Sequence, residues 1–299
     1  MTEVVKGLEH LHLTDMQEVL IFVSDIHLSP DASTNEDASG FLKTLEQSMP
    51  VDCSRLFILG DLFETWVGDD VLTRSRDALR LALTSMRARG NKGLKFYLMH
   101  GNRDFLIGER LCRELDAQWI SDSFILECFG QRAGLCHGDA MCIDDLDYQH
   151  FRQQVRAADW QKAFLNKPLG EREAIAQGLR HQSERSKQEK SMAIMDVNTQ
   201  AVHEFVAKQG IQTLIHGHTH RPGRHNASFT RWVLPDWDLA RKRGGWLRWD
   251  RTGLTSQGPR TITVWNWGRA LDVCRAKSLN RRDDSSAMHR VSQFLSYRW

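Results

Sequence analysis

Glu18–Asp25 reads EVLIFVSD, a short run of β-branched and aromatic residues that ends in a carboxylate. An apolar run of this length, bounded by polar residues, fits a strand buried on both faces better than a helix. The same pattern recurs along the chain. RLFILGD (Arg55–Asp61) ends in Asp61 and KFYLMHGN (Lys95–Asn102) ends in Asn102. RAGLCHGD (Arg132–Asp139) ends in His137 and Asp139, and IQTLIHGH (Ile211–His218) ends in His216 and His218. Helix-like stretches lie between the first three, around Phe41–Gln47 and Asp77–Arg89. Such alternation makes an α/β fold. Polar residues at the C-terminal ends of buried strands mark the place where open α/β sheets hold their ligands.

Residues 145–195 break the rhythm, for they contain no strand-like run. Tyr148, Phe151, Val155, Trp160 and Phe164 keep an approximately helical spacing that is interrupted at Pro168. An inserted helical cap is expected here, rich in Arg and Lys. Its apolar stripe has two readings, ordinary packing on the sheet or a cover over the site. The division that follows is an N-terminal extension (1–18), a core (19–144 and 196–256), the cap (145–195) and a basic, Trp-rich tail (257–299) without clear periodicity, expected to be partly disordered.

The 299 residues are 41% hydrophobic, enough for a large core. The net charge of +2 hides an asymmetry: from Arg221 onward there are 16 Lys and Arg against 6 Asp and no Glu, with seven of the ten Trp. That stretch suits an anionic partner, or it is a solvated basic face with core tryptophans. Six cysteines without a CxxC pair favour a reducing compartment. The N-terminus MTEVVKGLEHLHLTDMQ lacks the pattern of a signal peptide, and no stretch approaches a membrane span. A cytosolic protein, at most peripheral on a membrane, is expected.

The strand-end residues form a donor set: Asp25 and His27 in SDIHLS, Asp61 in GDLFE, Asn102 in GNRD, His137 in HGD, and His216 and His218 in HGHTH. Two carboxylates, a carboxamide and four imidazoles are too many for one divalent ion and right for two that share a bridge. On extended backbone His216 and His218 would point the same way, and Gly101 and Gly217 would let backbone pass close to the site.

The series DxH, GDxxE, GNRD, HGD and GHTH resembles the calcineurin-like metallophosphoesterase superfamily. The resemblance implies a two-sheet sandwich flanked by helices, with a dinuclear centre at the strand ends. It implies Asp25, His27 and His218 on one metal, Asn102, His137 and His216 on the other, and Asp61 bridging them. Many members have a histidine where this chain has Arg103. Arginine cannot donate a proton to a leaving group, but it can clamp a phosphate. A phosphate leaving group needs little protonation, so Arg103 points to cleavage of a diphosphate.

The stretches SDIHLS, FILGDLFETWVGDD, HGNRDFLIG, HGDAMCIDD, KSMAIMDVN and LIHGHTHRP resemble, more narrowly, the UDP-2,3-diacylglucosamine pyrophosphatases of lipid A synthesis. That resemblance spans Val19–His225. It implies hydrolysis of UDP-2,3-diacylglucosamine to UMP and 2,3-diacylglucosamine 1-phosphate by metal-activated water attacking the UMP phosphorus, with two Mn²⁺ per chain. It implies Asp61, Asn102, Arg103 and His137 as catalytic residues. Substrate contacts carry over to Asn102, Arg103, Asp145, Ser183, Lys187, Lys190 and His216. A peripheral place on the cytoplasmic side of the inner membrane follows, in contact with lipid, and no nucleic-acid partner is expected.

Alternatives remain: another phosphoesterase such as a nucleotide or cyclic-nucleotide phosphodiesterase, a non-catalytic scaffold, or nucleic-acid binding through the tail. His220 is expected outside the ligand set. Asp139 is expected to hold a ligand histidine and Asp104 to hold Arg103, each with a local turn as the competing reading. Glu64 in GDLFE is read as positioning a ligand or a backbone amide and is left outside the site residues.

Overall fold

The structure is a computed structural model that describes residues 7–28, 50, 52–73, 77–90, 92–189, 196–238, 241 and 243–257; of residues 77–82 and 182–189 it describes the backbone. Five predicted strands are present in shortened form: β2 (Leu20–Val23), β3 (Arg55–Leu59), β4 (Lys95–Met99), β6 (Gln131–Leu135) and β7 (Thr213–His216). Each stops short of its predicted end, so apart from His216, the last residue of β7, the polar residues occupy the loops beyond the sheet. Helix α1 (Asp77–Gly90) matches the second predicted helix. The first, at Phe41–Gln47, lies outside the described residues, as does the tail from residue 258 onward.

Other elements carried no clear sequence signal. Strand β1 (Leu8–Leu13) falls within the expected extension and pairs parallel with β5 (Ala117–Cys128). The hairpins β8 (Gly223–Asn226)–β9 (Thr230–Val233) and β10 (Trp246–Asp250)–β11 (Gly253–Gln257) close the two edges. Helix α2 (Glu109–Leu115) precedes β5.

The strands form one path, β11-β10-β2-β3-β4-β5-β6-β7-β9-β8. The long β5 pairs with β4 near its start, at Ala117–Trp119, and with β6 at Phe124–Cys128, so the sheet turns a corner along it. The two-sheet sandwich is therefore a single curled sheet.

Side-chain alternation shows how the halves meet. Leu20 and Phe22, Phe57 and Leu59, and Tyr97 and Met99 face inward with Phe124, Leu126, Leu135, Ile215 and Trp249. The alternate residues Ile21, Val23, Leu56, Ile58, Phe96 and Leu98 face outward, under Met86 of α1 and Leu111 and Leu115 of α2. The other half is covered by Val202 and Val206 of the helix that follows the cap, packed with Ile125, Cys136 and Leu214. Phe57 stacks between Phe22 (5.1 Å) and Tyr97 (4.4 Å), its partners in register on β2 and β4. Burying each such ring contributes about 1.5–3 kcal/mol. Trp232, Trp237, Trp246 and Trp249 are buried, which settles them as core residues.

The expected cap contains α3 (Leu146–Arg156), α4 (Ala158–Leu165) and α5 (Leu169–Glu189), followed by α6 (Thr199–Gln209), which belongs to the body. Pro168 lies in the break between α4 and α5, where its carbonyl accepts from Glu171 N and Arg172 N. Of the apolar stripe, Val155 and Phe164 are buried, and Trp160 stacks on Phe164 at 4.8 Å and packs against the main core. For these residues the ordinary packing role holds. No helix of the described residues is long and apolar enough to cross a membrane.

Candidate metal centre

The loops after β2 and β3 run side by side and continue the parallel pairing beyond the strands. Asp25 N and Ile26 N donate to Gly60 O (3.1 Å) and Asp61 O (2.9 Å), His27 N to Asp61 O (3.0 Å), Leu28 N to Leu62 O (2.9 Å), and Glu64 N to Leu28 O (2.9 Å). The loop after β4 is tied on by Asp104. Its carboxylate accepts from the amides of Asp61 (3.3 Å), Leu62 (2.8 Å), Phe63 (3.3 Å) and Gly101 (2.8 Å). Asp104 thus clamps two loops together instead of holding the Arg103 side chain. Burial and the nearby Asp61 push its carboxyl up to about 6.

Gly101 and Gly217 are required by contact. A Cβ at Gly101 would sit 2.0 Å from Asp61 Oδ1, and one at Gly217 would sit 2.2 Å from Ser24 Oγ and 2.4 Å from Asp25 Oδ2. Asp25, His27, Asp61, His218 and His220 all adopt positive φ, between 51° and 67°. Left-handed backbone costs a non-glycine residue roughly 1–2 kcal/mol. Five such residues gathered at one place are the kind of strain that marks a functional site.

Two clusters of donor atoms result. In the first, His220 Nε2 lies 3.3 Å from Asp25 Oδ1 and 3.4 Å from His27 Nε2. In the second, His137 Nε2 and His218 Nδ1 each lie 2.9 Å from Asn102 Oδ1. Asp61 stands between, with Oδ1 3.7 Å from His137 Nε2. Asp25, His27 and His220 bring one donor atom each within 4.8 Å of one another, and so do Asp25, Asp61 and His137. Asp25 Oδ1 is buried without a hydrogen bond, although His220 is close. An orphaned carboxylate oxygen inside a ring of imidazoles fits a divalent cation.

The histidine assignment moves by one step from the expected pattern. His220 joins Asp25 and His27, and His218 joins Asn102 and His137. His216, fully buried, stays apart with Nδ1 2.9 Å from Gly217 O and Nε2 3.2 Å from Arg231 Nη1. The reason is local. Strand β7 ends at His216, so the two-residue alternation of extended chain no longer governs His218 and His220, whose backbone is left-handed.

The surroundings orient the rings. His137 Nδ1 lies 2.9 Å from Leu59 O, and His220 Nδ1 lies 3.4 Å from the buried Asp236. Burial pushes the His137 imidazole down, but Asp61, Asp25 and Asp139 outweigh it and hold it up at about 9. Asp25 falls well below the usual carboxylate range because His220, His137 and His27 overcome its burial. Burial, reinforced by His137, drives His218 down to about 3, and burial with the Arg231 charge takes His216 down to about 4.

Asp139 does not hold a histidine. It accepts from Tyr148 Oη (2.5 Å) and Arg152 Nε (2.8 Å), and Arg152 also pairs with Asp122, so this carboxylate fastens α3 to the body. Tyr148 stacks near His218 with ring centres 6.1 Å apart, and Arg156 donates to Gly101 O at 2.9 Å. The cap therefore touches the centre. Asn102 and Arg103 lie within it: Arg103 N donates to Asp61 Oδ1 (2.9 Å), and Arg103 Nη1 reaches Glu64 Oε1 (2.8 Å). Asp145 instead caps α3 by accepting from Tyr148 N at 3.1 Å. The side chains of Ser183 and Lys187, and all of Lys190, lie outside the described residues.

Residues 19–222 match the calcineurin-like phosphoesterase family. The chain belongs to that family. This phosphoesterase is 43% identical over 247 residues to the UDP-2,3-diacylglucosamine hydrolase of Bordetella pertussis, a match covering 80% of this chain and 94% of that protein. The protein of the same name from Chromobacterium violaceum is 44% identical over 237 residues, covering 79% and 96%. The one from Haemophilus influenzae strain Rd is 41% identical over 221 residues, covering 72% and 89%.

Proposed function

We propose that this phosphoesterase hydrolyses the diphosphate of UDP-2,3-diacylglucosamine, giving UMP and 2,3-diacylglucosamine 1-phosphate, in lipid A biosynthesis. The observation that carries this reading is Arg103, a fixed cation beside Asp61 in a chain that resembles hydrolases of that name along most of its length. Arg103 cannot protonate a leaving group. Its guanidinium can hold a phosphoryl oxygen as charge shifts onto the departing phosphate. Water attacks the phosphorus of the UMP half, the bond to the bridging oxygen breaks, and the sugar phosphate leaves with that electron pair.

The residues that would hold one divalent ion are Asp25, His27 and His220, and those for a second are Asn102, His137 and His218, with Asp61 shared. Two Mn²⁺ bound there would supply charge neutralisation and an activated water at neutral pH. His216 belongs to neither set in this reading. By the resemblance to the hydrolases of that name, Asp145, Ser183, Lys187 and Lys190 would serve as contacts for the substrate phosphates and sugar. The substrate's acyl chains keep it at a membrane. Ile143 and Leu146, exposed beside the start of α3, offer apolar contact to such lipid.

The test is product analysis of the purified protein with UDP-2,3-diacylglucosamine and Mn²⁺, with and without chelator. Chelator-sensitive release of UMP is expected. Turnover of simple phosphodiesters or cyclic nucleotides without UMP release would replace this substrate with another phosphoesterase reaction.

A further inference from the structure

Glu64 is the third residue after Asp61, in the loop beyond β3, and it touches three separate parts of the centre. Oε2 lies 2.9 Å from His27 Nδ1. Oε1 lies 2.8 Å from Arg103 Nη1 and 2.5 Å from Arg180 Nη2. Those partners come from three places: the loop after β2, the loop after β4, and cap helix α5. The parallel run of the first two loops explains the first contact. Glu64 N is bonded to Leu28 O and His27 N to Asp61 O, which sets the His27 and Glu64 side chains next to each other.

Each contact has a consequence. Glu64 Oε2 and His27 Nδ1 are in close ion-pair contact without an aligned hydrogen bond, and a carboxylate, which only accepts, favours the ring hydrogen on Nδ1. That leaves the Nε2 lone pair directed at Asp25 and His220, the orientation a metal ligand needs. Two guanidinium groups on one carboxylate oxygen are held side by side against their mutual repulsion. Arg103 is also bound at its backbone by Asp61, while Arg180 is carried by the cap, with its side chain 42% exposed. A pair of adjacent guanidinium groups, one on the body and one on the cap, matches a substrate with two linked phosphates.

We propose that Glu64 is a positioning residue that fixes His27 for the cation, aims Arg103 at the reacting phosphate, and docks the cap through Arg180, which makes Arg180 a recognition residue for the diphosphate. The recognition half rests on the diphosphate substrate proposed above; the His27 and docking halves rest only on the phosphoesterase centre. Cap placement and centre geometry then depend on one side chain.

Three measurements on the full-length protein test this, using Glu64→Gln, Arg180→Ala and the double variant. Titration of Mn²⁺ into metal-free protein should show Glu64→Gln binding about tenfold more weakly than wild type, with Arg180→Ala unchanged. Backbone hydrogen exchange should rise in α5 in both single variants, and no further in the double variant. KM for UDP-2,3-diacylglucosamine should rise about tenfold in Arg180→Ala, with no further rise when Glu64→Gln is added. Mn²⁺ affinity in Glu64→Gln within twofold of wild type overturns the His27 role. Unchanged exchange in α5, or effects of the two substitutions that multiply, overturns the docking role. Failure of wild type to release UMP would remove the proposed substrate and with it the recognition role of Arg180, while the two substrate-free measurements would still decide the rest.

Discussion

His220 Nε2 lies 3.3 Å from Asp25 Oδ1, so the last histidine of HGHTH meets the first carboxylate of the centre. His216, the first histidine of that stretch, contacts Arg231 instead. The two positions therefore respond differently to substitution. His220→Ala should lower the bound metal measured by elemental analysis and reduce kcat by about 100-fold or more. His216→Ala should leave the metal content at the wild-type level. Metal loss in His216→Ala with full retention in His220→Ala would restore the assignment expected from extended-strand alternation.

Asp104 should matter more for stability than its place in GNRD suggests. Four backbone amides from two loops converge on it. Asp104→Ala leaves buried donors without an acceptor, at a cost of about 3 kcal/mol or more. For a chain of this size that lowers Tm by roughly 6–12 °C. Calorimetry of metal-free protein checks this, because the metal-free state separates loop clamping from metal loading. A change under 2 °C would contradict the clamp.

The centre was legible where chemistry and strand ends coincide. Asp25, Asp61, Asn102 and His137 each follow a buried strand, and the burial of β2, β3 and β4 on both faces made those strands visible as apolar runs. Reasoning by alternation failed just beyond β7, because it assumed extended backbone where the chain turns left-handed. The partners of Glu64 and Asp236 were not legible, because Arg180 and His220 reach them only through tertiary packing. Strand β5 was missed because interspersed polar residues in AQWISDSFILEC hide its β pattern, and its burial changes as it passes from one half of the sheet to the other.

Metal binding should release protons. Without metal, Asp61, Asp25 and Asp139 keep His137 protonated up to about 9, despite its burial. A cation must displace that proton to use Nε2. Apparent Mn²⁺ affinity should therefore rise with pH through neutrality and level off above about 9. His218, driven down to about 3, is already neutral and adds no proton at pH 7. Calorimetric titration at pH 7 in two buffers of different ionisation enthalpy should show at least about one proton released per protein. No buffer dependence would refute it.

Tyr148 and Arg152 tie the cap to Asp139, and their losses should be felt first in α3. Tyr148→Phe removes one donor to a buried carboxylate that keeps Arg152, a loss of about 1–2 kcal/mol. Arg152→Ala removes contacts to both Asp139 and Asp122 and should cost more. Hydrogen exchange should rise in Leu146–Arg156 in both variants, with the larger rise in Arg152→Ala. Equal protection in wild type and both variants would show that α3 is held by other contacts.

Arg103 offers the sharpest separation between geometry and charge. Its guanidinium reaches Glu64 Oε1 at 2.8 Å and, more distantly, Asp61 Oδ2 at 3.8 Å, which places it at the edge of the donor cluster. Arg103→Lys keeps the charge but loses the planar fork, and Arg103→Ala loses both. A charge-assisted hydrogen bond is worth about 1.5–3 kcal/mol, or roughly 10–150-fold in rate if it is made in the transition state. UMP release should therefore fall in the order wild type, Lys, Ala, chiefly in kcat. A general acid at this position would lose activity above its own pKa. A permanently charged arginine would not, so the wild-type pH–rate profile should show no alkaline limb that disappears in Arg103→Ala. Such a limb, present in wild type and absent in the variant, would overturn the assignment of Arg103 as a phosphate clamp.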